Sequence, residues 1–248
     1  MDYALSIRQY QEKHGLETFR PKAVLFDMDG VLFDSMPGHA VSWHESMQQC
    51  GLEMTPAKAY QYEGMRGTET IRLLARRQWG RELTESEAQR IYQAKVERFA
   101  QCPPAKKMEG VEQLMHMMKD SGLTIGVVTG SGQHTLLDRL ESAFPQLLDR
   151  DKIVTAFDVK KGKPSPEPYL AGLRKCQVQP CEAIVVENAP LGVRAAVAAR
   201  IFTIAVNTGP LADDLLAREG ADAVVGNMQE ALALWNDLKQ LTRQPKTT

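Results

Sequence analysis

Short apolar runs closed by polar residues recur along the chain and set the first reading of its fold. Ala23 to Asp27 (AVLFD) is apolar until it ends in an acid, and Met28-Asp29-Gly30 then breaks the run. An apolar run without alternation predicts a strand buried on both faces. The same grammar returns at Thr124 to Thr129 (TIGVVT), followed by Gly130-Ser131-Gly132, and at Ala183 to Glu187 (AIVVE), followed by Asn188-Ala189-Pro190. Shorter runs at Ile153 to Thr155, Phe202 to Val206 and Ala223 to Val225 predict further strands of the same sheet.

Helical periods fill the gaps between these strands. Val111, Leu114, Met115 and Met118 repeat at i, i+3, i+4 and i+7, with Gly122 where a helix end favours glycine. Leu136, Leu137, Leu140 and Phe144 form a second stripe, Leu191 to Ala199 an alanine-rich helix, and Ala231, Leu234, Leu238 and Leu241 a terminal one. Strands alternating with helices predict an α/β fold built on a doubly wound parallel sheet. The stretch from Pro37 to Pro104 departs from this alternation, with helical patterns at His39 to Gln49, Thr68 to Gln78 and Ser86 to Ala100 and no strand. It reads as an inserted α-helical domain, residues 37–104, in a core made of residues 1–36 and 105–248. Pro37-Gly38 and Pro103-Pro104 punctuate its ends as hinges.

Composition narrows the function without naming it. The 248 residues carry a formal net charge of -1, and Lys and Arg form no dense run, which argues against a nucleic-acid partner. An anionic ligand would have to be held locally, which favours a small molecule. The N-terminus, MDYALSIRQYQEKHGLETFR, is charged throughout, so neither a signal peptide nor a membrane anchor is expected. The four cysteines include no CxxC pair, so neither zinc nor a disulfide framework is expected, and the location expected is cytoplasmic.

In an open α/β sheet, ligands bind at the carboxyl ends of the strands. Here those ends hold Asp27, Asp29, Thr129, Glu187 and Asn188, with Lys163 ahead of a helix beginning near Pro166. Singly, each has a plain structural reading as a helix cap, a strand-end hydroxyl or a solvated lysine. Together they offer carboxylates for a nucleophile and a divalent cation, donors for a phosphoryl group, and an ammonium to balance its charge.

FDMDGVLFDS (Phe26 to Ser35), VVTGS (Val127 to Ser131), KGKPSPEPYL (Lys161 to Leu170) and VVENAPLGVRAA (Val185 to Ala196) resemble, in order, the four motifs of the haloacid dehalogenase superfamily. The nearest resemblance is to the branch of β-phosphoglucomutase and phosphoglycolate-type phosphatases, which carry a helical cap between the first two motifs. That resemblance implies a Mg²⁺-dependent phosphoryl transfer from a small phosphorylated metabolite, such as a sugar phosphate. It makes Asp27 the nucleophile that forms an aspartyl-phosphate and Asp29 the general acid and base. Thr129, Gly130 and Ser131 would hold phosphoryl oxygens, Lys163 would balance charge, and Mg²⁺ would sit on Asp27, the Asp29 carbonyl, Glu187 and Asn188.

The sequence departs from the family pattern at informative places. Asn188 stands where relatives carry an aspartate; its amide could still bind Mg²⁺, or could merely cap the Leu191 helix. His39, with Trp43, falls where β-phosphoglucomutase also has a His and a Trp, and could be a substrate contact or a packed helix-face histidine. Arg66, in the EGMRGTE turn, is expected to reach the active site as an anion contact. Gly67 and Gly132 stand where the mutases carry an arginine and a lysine for a second phosphate, which favours hydrolysis, with a sugar phosphomutase as the alternative and a non-catalytic binding module as a more distant one.

Overall fold

The computed structural model describes residues 3–132 and 136–243. Six parallel strands form one sheet in the order β3-β2-β1-β4-β5-β6: β1 Ala23–Phe26, β2 Thr124–Val128, β3 Ile153–Val154, β4 Ala183–Glu187, β5 Phe202–Val206 and β6 Ala223–Val225. The order reverses beside β1, which is central and pairs with both β2 and β4. Phe26 is in register with Val127 on one side and Val186 on the other. The carboxyl ends of β1, β2 and β4 therefore lie side by side at the topological switch point, the place where such sheets bind ligands.

Alternate strand residues feed opposite layers, as a period of two requires. Val24, Phe26, Val127, Ile184 and Val186 pack beneath α6 (Val111–Asp120), α7 (Leu136–Ala143) and α11 (Met228–Arg243). Leu25, Val128 and Val185 face the other way, against α8 (Glu167–Cys176) and α9 (Pro190–Ala198). α10 (Asp213–Arg218) extends that second layer through Leu216. The side chain of Leu241, expected in the terminal stripe, lies outside those described. An N-terminal helix, α1 (Tyr3–His14), was not evident from periodicity. It is held by Tyr10, whose ring meets Phe19 and Phe202 and whose hydroxyl donates to the Arg200 carbonyl at 2.8 Å.

Between β1 and α6 the chain makes only helices: α2 Met36–Gln49, α3 Pro56–Gln61, α4 Gly67–Trp79 and α5 Glu85–Phe99. The short α3 escapes a periodicity search; Thr55 caps it, and Pro56 fits its first turn. α5 opens on a reciprocal capping box between Thr84 and Glu87. These helices share a hydrophobic cluster of their own, with Met47, Leu52, Ile71 and Leu74 at its centre. The two connections to the sheet run together, Asp34 donating to the Lys106 carbonyl and Met108 to that of Leu32, both at 2.9 Å. This paired stalk sets the helical unit over the carboxyl edge of the sheet.

Met47→Ala should destabilise the protein by about 2–5 kcal/mol, since it empties a methionine-sized space in a buried cluster. Because that cluster is separate from the sheet's layers, hydrogen exchange should quicken in α2 to α5 while amides of β1 and β4 keep their protection. Uniform loss of protection across both would show that the two cores unfold as one.

Candidate active site

The base of the crevice is a buried charge cluster. Lys163 is 1% exposed, Asp27 4% and Glu187 0%. The Lys163 ammonium donates to Asp27 Oδ1 at 2.5 Å, to Glu187 Oε1 at 2.6 Å and to the Val128 carbonyl at 3.2 Å, which uses all its hydrogens. Glu187 is equally saturated. Its Oε1 also accepts from the Tyr169 hydroxyl at 2.8 Å, and its Oε2 accepts the amide N–H groups of Asn188 and Ala189, each at 2.9 Å. The first turn of α9 presses on this carboxylate so closely that a Cβ on Gly192 would lie 1.7 Å from Oε1. Burial pushes the Asp27 carboxyl up to about 8, against the pull of Lys163. Burial lowers the proton affinity of Lys163, but the two carboxylates outweigh it and hold the ammonium charged. Asp27 Oδ2 is buried and accepts no hydrogen bond.

Asp29, at the turn after β1, is governed by the helical unit. Ser35 Oγ donates to Asp29 Oδ1 at 2.5 Å, and His39 Nε2 lies 3.2 Å from the same oxygen. Lys95 Nζ stands 2.6 Å from His39 Nδ1. A charged lysine can only donate, so His39 accepts at Nδ1 and presents its Nε2 hydrogen to Asp29. Phe99 stacks on the imidazole with centroids 3.9 Å apart and fixes its plane. Burial favours a protonated Asp29, but His39, Ser35 and Lys95 prevail and bring its carboxyl down to about 2. Burial draws Lys95 down to about 8, partly opposed by Asp29.

Thr129 follows β2, is 3% exposed, and accepts the Ser131 N–H on its Oγ1 at 3.1 Å, which shapes the Gly130-Ser131 turn. Asp27, Asp29, His39, Thr129, Gly130 and Ser131 line one crevice with Trp43, Tyr92 and Lys95 of the helical unit, while Lys163 and Glu187 lie beneath it. Arg66 is placed differently. Its Nη1 donates to the Lys160 carbonyl at 2.8 Å, so it ties the helical unit to the loop ahead of Lys163, and it does not line the crevice.

Asn188 is 3% exposed; its Nδ2 donates to Glu63 Oε2 at 3.1 Å, and its Oδ1 has no donor. Donor-free buried oxygens on Asp27 and Asn188 suit a hard cation. Glu187 does not offer one, because both its oxygens are occupied. Among the described residues no group of three or more His, Cys, Asp or Glu side chains is arranged to hold a metal ion. No helix among the described residues is long and apolar enough to cross a membrane.

Glu63, Lys95 and Tyr169 were missed by sequence reasoning. Lys95 left a signal: with Ala88, Ile91, Tyr92 and Phe99 it occupies the apolar stripe of α5, and a lysine there must find a buried partner. Glu63 and Tyr169 left none, since each acts between elements distant in sequence.

The haloacid dehalogenase-like hydrolase family matches residues 24–206. A solved structure from Bacteroides vulgatus, described as a candidate β-phosphoglucomutase, is 50% identical and superposes with a TM-score of 0.94, covering 98% of each chain. Validoxylamine A 7'-phosphate phosphatase of Streptomyces hygroscopicus subsp. limoneus is 28% identical over 84% of this chain and 95% of its own. Hexitol phosphatase A of Escherichia coli K12 is 30% identical over 76% and 84% respectively. With the motif residues converging on one crevice and a match over most of its length, the chain belongs to the haloacid dehalogenase-like hydrolases and is an enzyme of that family.

Proposed function

We propose that the protein hydrolyses a small phosphorylated carbohydrate through a phosphoryl group carried on Asp27. The observation that carries this reading is the donor-free Oδ2 of Asp27, buried at the crevice floor with Lys163 fixed on its other oxygen. That oxygen attacks phosphorus while the bond to the sugar oxygen breaks, and the departing oxygen takes a proton from Asp29. Water then attacks the phosphorus of the acyl phosphate and gives its proton to Asp29, which releases phosphate and restores the Asp27 carboxylate. The Gly130 amide and the Thr129 hydroxyl donate to the phosphoryl oxygens, and the Ser131 amide joins them by exchanging Thr129 Oγ1 for phosphate. Asp27 and Asn188 would hold Mg²⁺, whose charge would offset that of the transferring group. Residues 37–104 act as a cap that excludes water before chemistry.

Asp29 must be protonated for the first step, and the cap supplies the means. An incoming phosphate raises the proton affinity of Asp29 by like-charge repulsion. His39 can then pass its Nε2 proton to Asp29 Oδ1 and take one from Lys95 at Nδ1, so Lys95 becomes neutral and the imidazole changes tautomer. Burial lessens the cost of that loss, but Lys95 at about 8 still holds its proton more tightly than Asp29 at about 2, so the transfer depends on the charge of the incoming phosphate.

The Bacteroides vulgatus likeness favours a second reading, sugar phosphate isomerisation. The crevice supports hydrolysis better. Among its described lining residues Lys95 is the one Lys or Arg, and it is committed to His39. Gly67, which lines the cap wall, abuts the Tyr92 ring so closely that a Cβ would lie 2.1 Å from it. A second phosphate would have few charged partners there.

Asp27→Asn should lower turnover by roughly a thousandfold or more, because an amide is no phosphoryl acceptor. Chelation of Mg²⁺ should likewise stop phosphate release from a panel of sugar phosphates. If β-glucose 1-phosphate gives glucose 6-phosphate without free phosphate, the isomerase reading replaces this one.

Lys95→Met should reduce kcat most for sugars with poor leaving groups, where protonation matters most. In the wild type, the rate should pass through a maximum near pH 8, rising as Asp27 ionises and falling as Lys95 loses the proton that the relay needs. The variant should lack that alkaline limb. A limb that persists unchanged would assign it to another group.

A further inference from the structure

Glu63 is carried by the turn between α3 and α4, yet its carboxylate enters the core's charge cluster. Its Oε2 accepts from Asn188 Nδ2 at 3.1 Å, and its Oε1 is buried without a donor. The same is true of Asp27 Oδ2 and Asn188 Oδ1, on side chains only 4% and 3% exposed. Buried oxygens without partners are costly, and such atoms in neighbouring residues call for one ligand that satisfies them together. Two carboxylates and an amide carbonyl are the donor chemistry of a hard divalent cation.

The backbone around Glu63 is fitted to this approach. A Cβ on Gly64 would lie 2.8 Å from Lys163 Cδ, and one on Gly130 would lie 3.0 Å from the Gly64 carbonyl oxygen. Gly64, at φ +82°, is the position where the turn calls for glycine, and Gly130 adds clearance for the Gly64 carbonyl to approach. Asn188 is matched to the same approach, because its NH₂ group receives the incoming carboxylate. An aspartate there would set two carboxylates face to face at that distance.

We propose that Glu63 is a ligand of the divalent cation, delivered by the cap, and that it replaces the charge missing at Asn188. The proposal rests on the preceding reading that a divalent cation serves Asp27. Its consequence is that the cation site gains its full charge only when the cap is closed, so cation binding and cap closure favour each other.

The test is Mn²⁺ binding to the full-length protein without substrate, followed by the electron paramagnetic resonance of free Mn²⁺. Wild type, Glu63→Gln and the double variant Glu63→Gln/Asn188→Asp are compared, with thermal melts to verify folding. Glutamine preserves an acceptor for Asn188 Nδ2, so a purely structural role for Glu63 would leave Mn²⁺ affinity unchanged. The expected result is a loss of roughly tenfold to a hundredfold in Glu63→Gln, of the size seen when supporting groups are removed from metal sites. Recovery of most of that loss is expected in the double variant, where the charge returns at position 188. Equal affinity of wild type and Glu63→Gln overturns the proposal while leaving the phosphatase reading intact. Failure of the wild type to bind Mn²⁺, with hydrolysis surviving chelation, removes the cation from the reaction and this proposal with it.

Discussion

The ammonium of Lys163, buried between Asp27 and Glu187, is the interaction on which the rest of the structure depends. Its partners come from β1 and β4 and from the carbonyl of Val128 on β2, so one cation joins the ends of three neighbouring strands. Removing one member of a buried ion cluster commonly costs about 3–5 kcal/mol, because the charge left behind has no water to turn to. The packing around the cluster serves it. The first turn of α9 satisfies Glu187 with backbone amides, and Tyr169 brings a hydroxyl from α8. A surface lysine in this role would be hydrated and mobile; burial converts it into a fixed part of the sheet's edge.

Because Glu187 is saturated, the reactive charge is concentrated on a single atom. Lys163 occupies one Asp27 oxygen, and the other faces the crevice without a donor. Two residues later, Asp29 has an opposite environment. Asp27 is desolvated and proton-hungry, whereas Asp29 is held low by His39, Ser35 and Lys95. The divergence runs opposite to the proposed roles, an ionised Asp27 and a protonated Asp29, so a cation beside Asp27 and the phosphate's charge beside Asp29 are what would reverse both.

What could be read from the sequence followed the range of the physical signal. The central strands announce themselves because burial on both faces demands unbroken apolar runs, and Ala183–Glu187 and Phe202–Val206 match their predicted limits. Asp27, Thr129 and Glu187 were readable as a site because strand ends in a parallel sheet converge. Arg66 shows where such reasoning stops. It was expected to reach the crevice as an anion contact, yet its guanidinium goes to Lys160, and Glu63 of the same turn faces inward instead. Which side of a turn faces a crevice depends on backbone torsions and on glycine clearances, such as those at Gly64 and Gly130, that no periodicity encodes.

The electrostatics of the closed crevice explain why its pieces need one another. Asp27, Asp29, Glu63 and Glu187 converge, and the ammonium groups of Lys163 and Lys95 do not balance them. Burial and then the charges of Asp27, Glu187 and Asp29 push the Glu63 carboxyl well above the usual carboxylate range. A phosphate entering beside them would add to the same imbalance. Two solutions are open to such a cluster: protons on the carboxyls, or a multivalent cation among them. A proton on Asp27 would quench the nucleophile, so only the cation leaves the chemistry intact. The strained balance of charge in the crevice is thus itself a reason for the cap to bring an acid and a cation together, and for Asn188 to be neutral.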